Sequence, residues 1–270
     1  MLWLAIFFVV PIVSLFLTSL QTPVPGGPVG EFQQTFNFAN YWDTLSDSTY
    51  YIPLFRSFVY SGIATLLALA IGYPLAYAIA FKSGKFRNLL LVLVIAPFFV
   101  SFILRTIAWR QILADEGPVV AVLRSVGLVG ETAGVYPSAV AVIAGITYNF
   151  LPFMTLPIYA SLERVDPRLI EASGDLYAKP FTGFRKVTWP LSMPGVVAGT
   201  LLTFIPAAGD YVNAALLGRP SNTMIGNRIE YTFLSVNDYP TAAVLSFILM
   251  ACILTMVLVY IRRVGTEDLV

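Results

Sequence analysis

Charges divide the chain into six apolar runs, at 1–30, 57–81, 88–104, 132–162, 187–209 and 239–261, none of which contains Asp, Glu, Lys or Arg. About 20 apolar residues in a helix cross a bilayer core. Trimmed at their prolines, glycines and polar ends, the runs predict six membrane-spanning helices at about 1–20, 56–81, 88–113, 137–161, 190–217 and 239–262. No stretch alternates as a half-buried strand does, so the predicted class is all-α. The first span is expected to end at Gln21-Thr22-Pro23-Val24-Pro25-Gly26-Gly27-Pro28, whose prolines and glycines cannot continue a helix. It has neither a basic flank nor a small-residue cleavage site, so a retained anchor is expected over a cleaved signal. Pro74, Pro97, Pro152, Pro157 and Pro206 lie within or beside spans and are expected to bend them.

Composition fits the pattern. Hydrophobic residues make up 57% of 270 and charged residues 11%, with mean hydropathy +0.78, beyond the range of an ordinary soluble domain. The connections leave no room for a further soluble domain of about 100 residues, so 1–270 is expected to be one transmembrane domain. The net charge of +1 is spread over separate loops, which offers nucleic acid no basic face. Cys252 lies in an apolar run and is expected to pack. The chain has no histidine, which excludes a Ser/His/Asp triad, a Cys/His pair and histidine-held metal. No G-x-x-x-x-G-K-[ST] loop occurs, and Ser83-Gly84-Lys85 lacks the upstream glycine. Any ATP that drives this chain is therefore hydrolysed on another.

Lys82, Lys85 and Arg87 lie between the second and third runs, Arg164, Arg168, Lys179, Arg185 and Lys186 between the fourth and fifth, and Arg262 and Arg263 after the sixth. Short basic loops stay in the cytoplasm, which places both termini there. The opposite loops carry Glu31, Asp43, Asp47, Asp115, Glu116, Glu131, Glu230 and Asp238, with Arg124, Arg219 and Arg228 as basic exceptions. Trp42, Tyr50, Tyr51, Trp109 and Trp189 fall near span ends, where amphipathic rings favour the headgroup boundary.

The connection at 163–189 is too charged for hydrocarbon. Asp166 suits a helix cap, Pro167 the first helical position and Pro180 a stop, which predicts a short helix over 167–179. Leu169, Ala172, Ser173 and Leu176 share a small or apolar face. Glu171 and Asp175 lie four apart on a polar one, and Asp175 is spaced to support Lys179. Phe181, Phe184, Val187 and Thr188 repeat the helical spacing. Periodicity leaves two readings, an amphipathic helix tucked under the bundle or a docking element for another protein.

Glu171-Ala172-Ser173, followed by Asp175-Leu176, Trp189-Pro190-Leu191 and Pro194-Gly195, resembles the EAA loop of bacterial ATP-binding-cassette importer permeases. Two further segments look like the spermidine and putrescine permeases of that family: Ser101-Phe102-Ile103-Leu104-Arg105-Thr106-Ile107-Ala108-Trp109 in the third span, and Phe204-Ile205-Pro206-Ala207-Ala208-Gly209-Asp210-Tyr211 with Met224-Ile225-Gly226-Asn227 around the fifth-span end. The resemblance covers most of the chain. It implies the importer-permease fold in the bacterial inner membrane, beside a second homologous permease, with a solute-binding protein outside and a cytoplasmic ATPase dimer that holds ATP and Mg²⁺. No cofactor is expected in this chain. By resemblance, Glu171, Ala172, Ser173, Gly174, Asp175, Leu176, Tyr177 and Ala178 couple to the ATPase, through a helix at 166–180 seated in an ATPase groove. Tyr177 stands where the family usually has a turn-relieving glycine, Ser173 is the third small residue, and Gly174 offers partial relief.

Asp210 is the first candidate for solute contact, because it follows the apolar stretch 196–209 and a carboxylate at membrane depth needs a cation, a donor or water. A protonated amine supplies the cation, with Tyr211 as an aromatic face and Trp109, Tyr148 and Asn149 as candidate neighbours. The competing readings are an ion pair with Arg105 or Arg110, or placement at the outer interface. Those arginines either snorkel to headgroups or join Asp210 in a network that helps to close an outer gate. Arg105 also has the i, i+4 spacing to Trp109 for a cation–π contact. Another small cationic or zwitterionic solute, such as an amino-acid derivative or a phosphonate, fits the same subfamily. An ion-gradient carrier would need no ATPase. A membrane enzyme would need an acid–base pair that the spans lack.

Overall fold

The computed structural model describes residues 3, 5–127, 130 and 134–264. Met1, Leu2 and Leu4 of the first expected span, and Glu131 of an expected acidic loop, lie outside the described residues. A π-helical turn at Ala5–Val9 leads into α1 (Val10–Ser19). An antiparallel hairpin follows, with β1 (Gln21–Pro23) on β2 (Phe32–Gln34) and Thr22 opposite Gln33. The Pro/Gly stretch that ends the first helix is thus a hairpin turn, closed by Gly27 N–H to Val24 O at 3.0 Å.

After α2 (Ala39–Ser46), α3 (Ser48–Phe81) begins well before the expected residue 56. The Asp47 carboxylate accepts a hydrogen bond from the Thr49 amide at 2.7 Å, satisfying a first-turn donor that has no helical partner. The polar first turn hides this start from hydropathy. The expected third span, 88–113, is broken: 84–99, which includes α4 (Arg87–Ile95), meets α5 (Phe102–Ile112) at 99°. Val100 and Ser101 are extended between them, both with ψ 138°, and Pro97 supplies no amide to carry the ladder through.

Beyond α6 (Pro118–Ser125), α7 (Ala139–Glu163) is opened by Ser138, whose hydroxyl accepts from the Ala141 amide at 3.1 Å. The charged connection holds α8 (Pro167–Asp175) and α9 (Pro180–Gly183), and a π turn at Phe184–Thr188 feeds α10 (Trp189–Ala208). The expected span 190–217 is interrupted at Gly209, Asp210 and Tyr211 before α11 (Val212–Leu217) resumes. The chain then forms α12 (Ile225–Tyr231) and α13 (Tyr239–Val264). Among the described residues, four helices are long and apolar enough to cross a membrane, or five if the bent pair counts as one span, and Ile6–Ser19 is a shorter apolar helix.

α3, α7 and α10 pack on one another, and α1 lies along α13. Helices in lipid gain little hydrophobic drive for association, so close backbone approach matters. Gly195 provides it, since a Cβ there would stand 2.5 Å from the Pro157 carbonyl oxygen. One buried cluster joins Tyr60, Ile146, Phe150, Leu217 and Met224. A second joins Tyr73, Ile79, Ile158, Leu162 and Val196, and a hydrogen bond between the Tyr73 and Ser192 hydroxyls at 2.7 Å ties α3 to α10.

Candidate functional site

Two places gather the residues singled out by sequence. At α8, the Asp166 carboxylate accepts from the Arg168 amide at 2.9 Å, as its capping position predicts. The helix stops at Asp175, short of the expected 179, because Tyr177 turns left-handed with φ 57°. Ala178 N–H then reaches the Ser173 carbonyl at 3.0 Å and Tyr177 N–H the Gly174 carbonyl at 2.9 Å. This two-bond closure normally uses glycine at the left-handed position. Gly174 is an ordinary helical residue, so the backbone strain falls on Tyr177. Lys179 leaves the helix beyond that turn, and among the described residues it makes no ion pair with Asp175.

The apolar face of this segment points outward. Leu176 is 81% exposed and Tyr177 98%, with Leu169 and Phe181 exposed beside them. Glu171, Ala172, Gly174 and Asp175 are exposed as well, whereas Ile170, Ser173 and Ala178 are half-buried. A helix tucked under the bundle would cover its apolar face. Here Leu169, Ala172 and Leu176 stay exposed, and of the expected face only Ser173 is turned inward, beside the half-buried Ile170, its Oγ 2.7 Å from where a Cβ on Gly183 would stand.

The second place is a buried polar cluster where α5, α7 and α11 meet. Asp210 is 7% exposed; one carboxylate oxygen accepts from the Asn213 amide at 2.8 Å and the other from Asn213 Nδ2 at 2.9 Å. Asn149 Nδ2 donates to Asn213 Oδ1 at 3.1 Å and to Thr106 Oγ1 at 3.2 Å. The structure therefore connects Asn149 to Asp210 through Asn213. It also sets the Trp109 ring 5.3 Å from that of Tyr148. Tyr211 is half-exposed, and its carbonyl accepts from Asn227 Nδ2 at 2.7 Å. A Cβ on Gly226 would lie 2.6 Å from the Gly209 carbonyl, so the segments 204–211 and 224–227 meet directly.

Asn213 and Thr106 escape sequence reasoning. The one available signal is the three-residue spacing from Asp210 to Asn213, which suits a carboxylate capping the following turn. Neither arginine pairs with Asp210 among the described residues. Arg105 is 8% exposed and lies over Phe98 at 5.7 Å and Phe102 at 5.6 Å, instead of over Trp109. Its Nε and Nη1 are buried without a hydrogen-bond partner among the described residues. Arg110 is exposed and lies over Tyr136 at 5.5 Å.

Apolar membrane-crossing helices, a polar cluster buried among them and a capped, outward-facing helix at one end of the bundle define a membrane permease. The chain belongs to the family described as binding-protein-dependent transport system inner membrane component, which matches residues 68–263. It is 34% identical to the spermidine/putrescine transport system permease protein PotB of Haemophilus influenzae, over 96% of this chain and 90% of that protein. PotC of Escherichia coli, a permease of the same kind of system, is 36% identical over 40% of each chain. Among solved structures, a bacterial ABC transporter that imports the acidic polysaccharide alginate superposes with TM-score 0.77 at 17% identity, covering 97% of this chain and 91% of that one. This likeness shows a shared fold.

The left-handed backbone at Tyr177 yields a direct test. With its side chain out in solvent, Tyr177→Gly removes strain and few contacts, and should raise the melting temperature of the permease, purified with nothing docked on α8, by about 2 °C. Tyr177→Val, β-branched at a positive φ, should lower it; a fall with glycine would show that the tyrosine ring contributes to folding.

Proposed function

We propose that this importer permease translocates polyamines of the spermidine and putrescine type. The observation that carries the reading is the 34% identity to PotB across 96% of the chain. An extracytoplasmic binding protein delivers the solute, and a cytoplasmic ATPase dimer, which holds ATP and Mg²⁺, drives the cycle. A second, homologous permease completes the path, a pairing supported by the likeness to PotC as well as PotB. The Lys and Arg distribution supports cytoplasmic termini and a cytoplasmic α8.

Coupling runs through α8. Its exposed apolar tip, Leu176 and Tyr177, sits beside Glu171 and Asp175 on a segment whose inner side is packed, as a knob for a groove on another protein requires. Asp210 is the acidic group of the solute path, bonded through Asn213 to Asn149, with the neighbouring Tyr211 and the Trp109–Tyr148 ring pair as the aromatic contacts of the solute. Its two oxygens each accept one bond from Asn213, and a carboxylate has capacity for about four. A protonated amine suits such a carboxylate. One observation favours a second reading: the buried guanidinium of Arg105, whose Nε and Nη1 have no hydrogen-bond partner among the described residues, suits a carboxylate, so a zwitterionic amine is the alternative solute.

A ligand screen on the cognate binding protein decides between the two. Spermidine or putrescine binding with no response to amino-carboxylates is expected, and the reverse would replace polyamines by zwitterions. In reconstituted vesicles, Glu171→Arg should leave the complex assembled while cutting uptake by an order of magnitude or more; normal uptake would remove α8 from coupling. Asp210→Asn should lower putrescine uptake about tenfold, at a yield of assembled complex close to the unaltered one, as loss of one charge-assisted contact predicts. Equal loss of yield and uptake would make Asp210 a structural cap.

A further inference from the structure

Three side chains outside both of these places form a contact between α4 and α7 at the end of the bundle that carries α8. Arg87 opens α4, and Glu163 is the last residue of α7. The two form the one ion pair among the described residues. Arg87 Nε also donates to the Tyr159 hydroxyl at 2.5 Å, and its guanidinium lies 5.2 Å from the centre of that ring. Tyr159 is itself buried, one helical turn before Glu163.

The contact lies between the coupling segment on one side and the broken third span on the other. From Glu163 to the Asp166 cap the chain stays hydrogen-bonded, Arg164 N–H to Ser161 O at 3.2 Å and Val165 N–H to Leu162 O at 3.1 Å, and Val165 is buried. A displacement of α8 therefore reaches the end of α7 directly. On the other side, α3 joins α4 through a single 3-10 turn, in which Gly84 is left-handed with φ 47°, a conformation glycine holds without strain, and Phe86 N–H bonds to Ser83 O at 2.9 Å. Leu90, Leu91 and Val94 pack α4 against the buried cluster that α3 and α7 share, and the Arg87 contact adds the polar tie from the start of α4 to the end of α7. Beyond α4 lie the break at Val100 and Ser101 and then Thr106, which hydrogen-bonds into the Asp210 cluster.

We propose that Arg87, Tyr159 and Glu163 form a strut that moves α4 together with the coupling segment, so that they position the broken third span during transport. The residues touch neither solute nor ATP. An exposed ion pair adds little to stability, so the strut is separable from folding. The proposal rests on the coupling role assigned to α8.

The test uses the whole importer, permease pair, ATPase and binding protein, in proteoliposomes, with Cys252→Ser as background. Spin labels on Phe86→Cys and Arg168→Cys report the distance from the base of α4 to α8, without nucleotide and after vanadate trapping. With the strut intact, one narrow distance is expected in both states. Arg87→Ala and Glu163→Ala should broaden or split it in the trapped state and lower radiolabelled putrescine uptake per ATP at least about fivefold, the usual lower bound for coupling between sites. The exchange Arg87→Glu with Glu163→Arg should recover both readouts, and Tyr159→Phe should broaden the distance with the ion pair still formed. Unchanged distances in the alanine variants would overturn the strut, as would loss of assembly in them, which would make the contact structural. The failure of α8 coupling looks different: Glu171→Arg would then leave uptake normal while the labels still separate in Arg87→Ala. If putrescine is not the solute, the unaltered importer takes up none, and the label distances still decide.

Discussion

In hydrocarbon a peptide N–H or C=O has no water to bond, and every such group must find a partner inside the protein. That requirement makes the spans helical. It also explains where the helices stop being regular. The break after α10 falls where Asp210 receives the Asn213 amide and Tyr211 offers its carbonyl to Asn227, and where Gly226 brings α12 against the exposed turn of backbone. Irregular backbone is tolerated there because other parts of the chain supply its hydrogen-bond partners.

The polar cluster follows from the same constraint. Once α10 ends, freed backbone groups need side-chain partners, and Asp210 with Asn213 supplies them at the start of α11. Asn149 and Thr106 extend the bonding to α7 and α5. The helices that cross the membrane are thereby linked at one point by hydrogen bonds instead of by apolar packing alone. Charge outside the bundle is handled differently. Asp166 and Asp47 cap helix starts, where the first-turn amides are free and the helix dipole favours an anion.

Much of this was legible beforehand, for physical reasons. Four of the six charge-free runs fall on the long apolar helices found among the described residues, since the cost of burying a charge in lipid outweighs other preferences. Asp166 and Pro167 announced the start of α8, because caps are local; its end at Asp175 falls short of the expected 179, and the strain at Tyr177 was foreshadowed only by the family resemblance that puts glycine there. The interruptions at Val100 and at Gly209 were not legible: prolines mark many positions, and Pro53 and Pro74 lie inside a continuous α3. Which proline breaks a helix depends on what encloses the loosened backbone. Likewise Asn213 and Thr106 are ordinary in sequence and gain meaning only from partners about 40 to 110 residues away. The fate of Arg105 depended on the break itself, which sets it over Phe98 on the far side of the joint.

The 99° angle in the third span has a mechanical meaning. α5 holds 11 residues and so extends about 16 Å from the joint, at 1.5 Å per residue. A swing of about 5° there carries its far end about 1.4 Å, within the range by which packed helices shift past one another. A straight helix would need to be driven along its whole length to give the same displacement. A jointed one works as a crank, turning a small tilt of one limb into a stroke at the far end of the other.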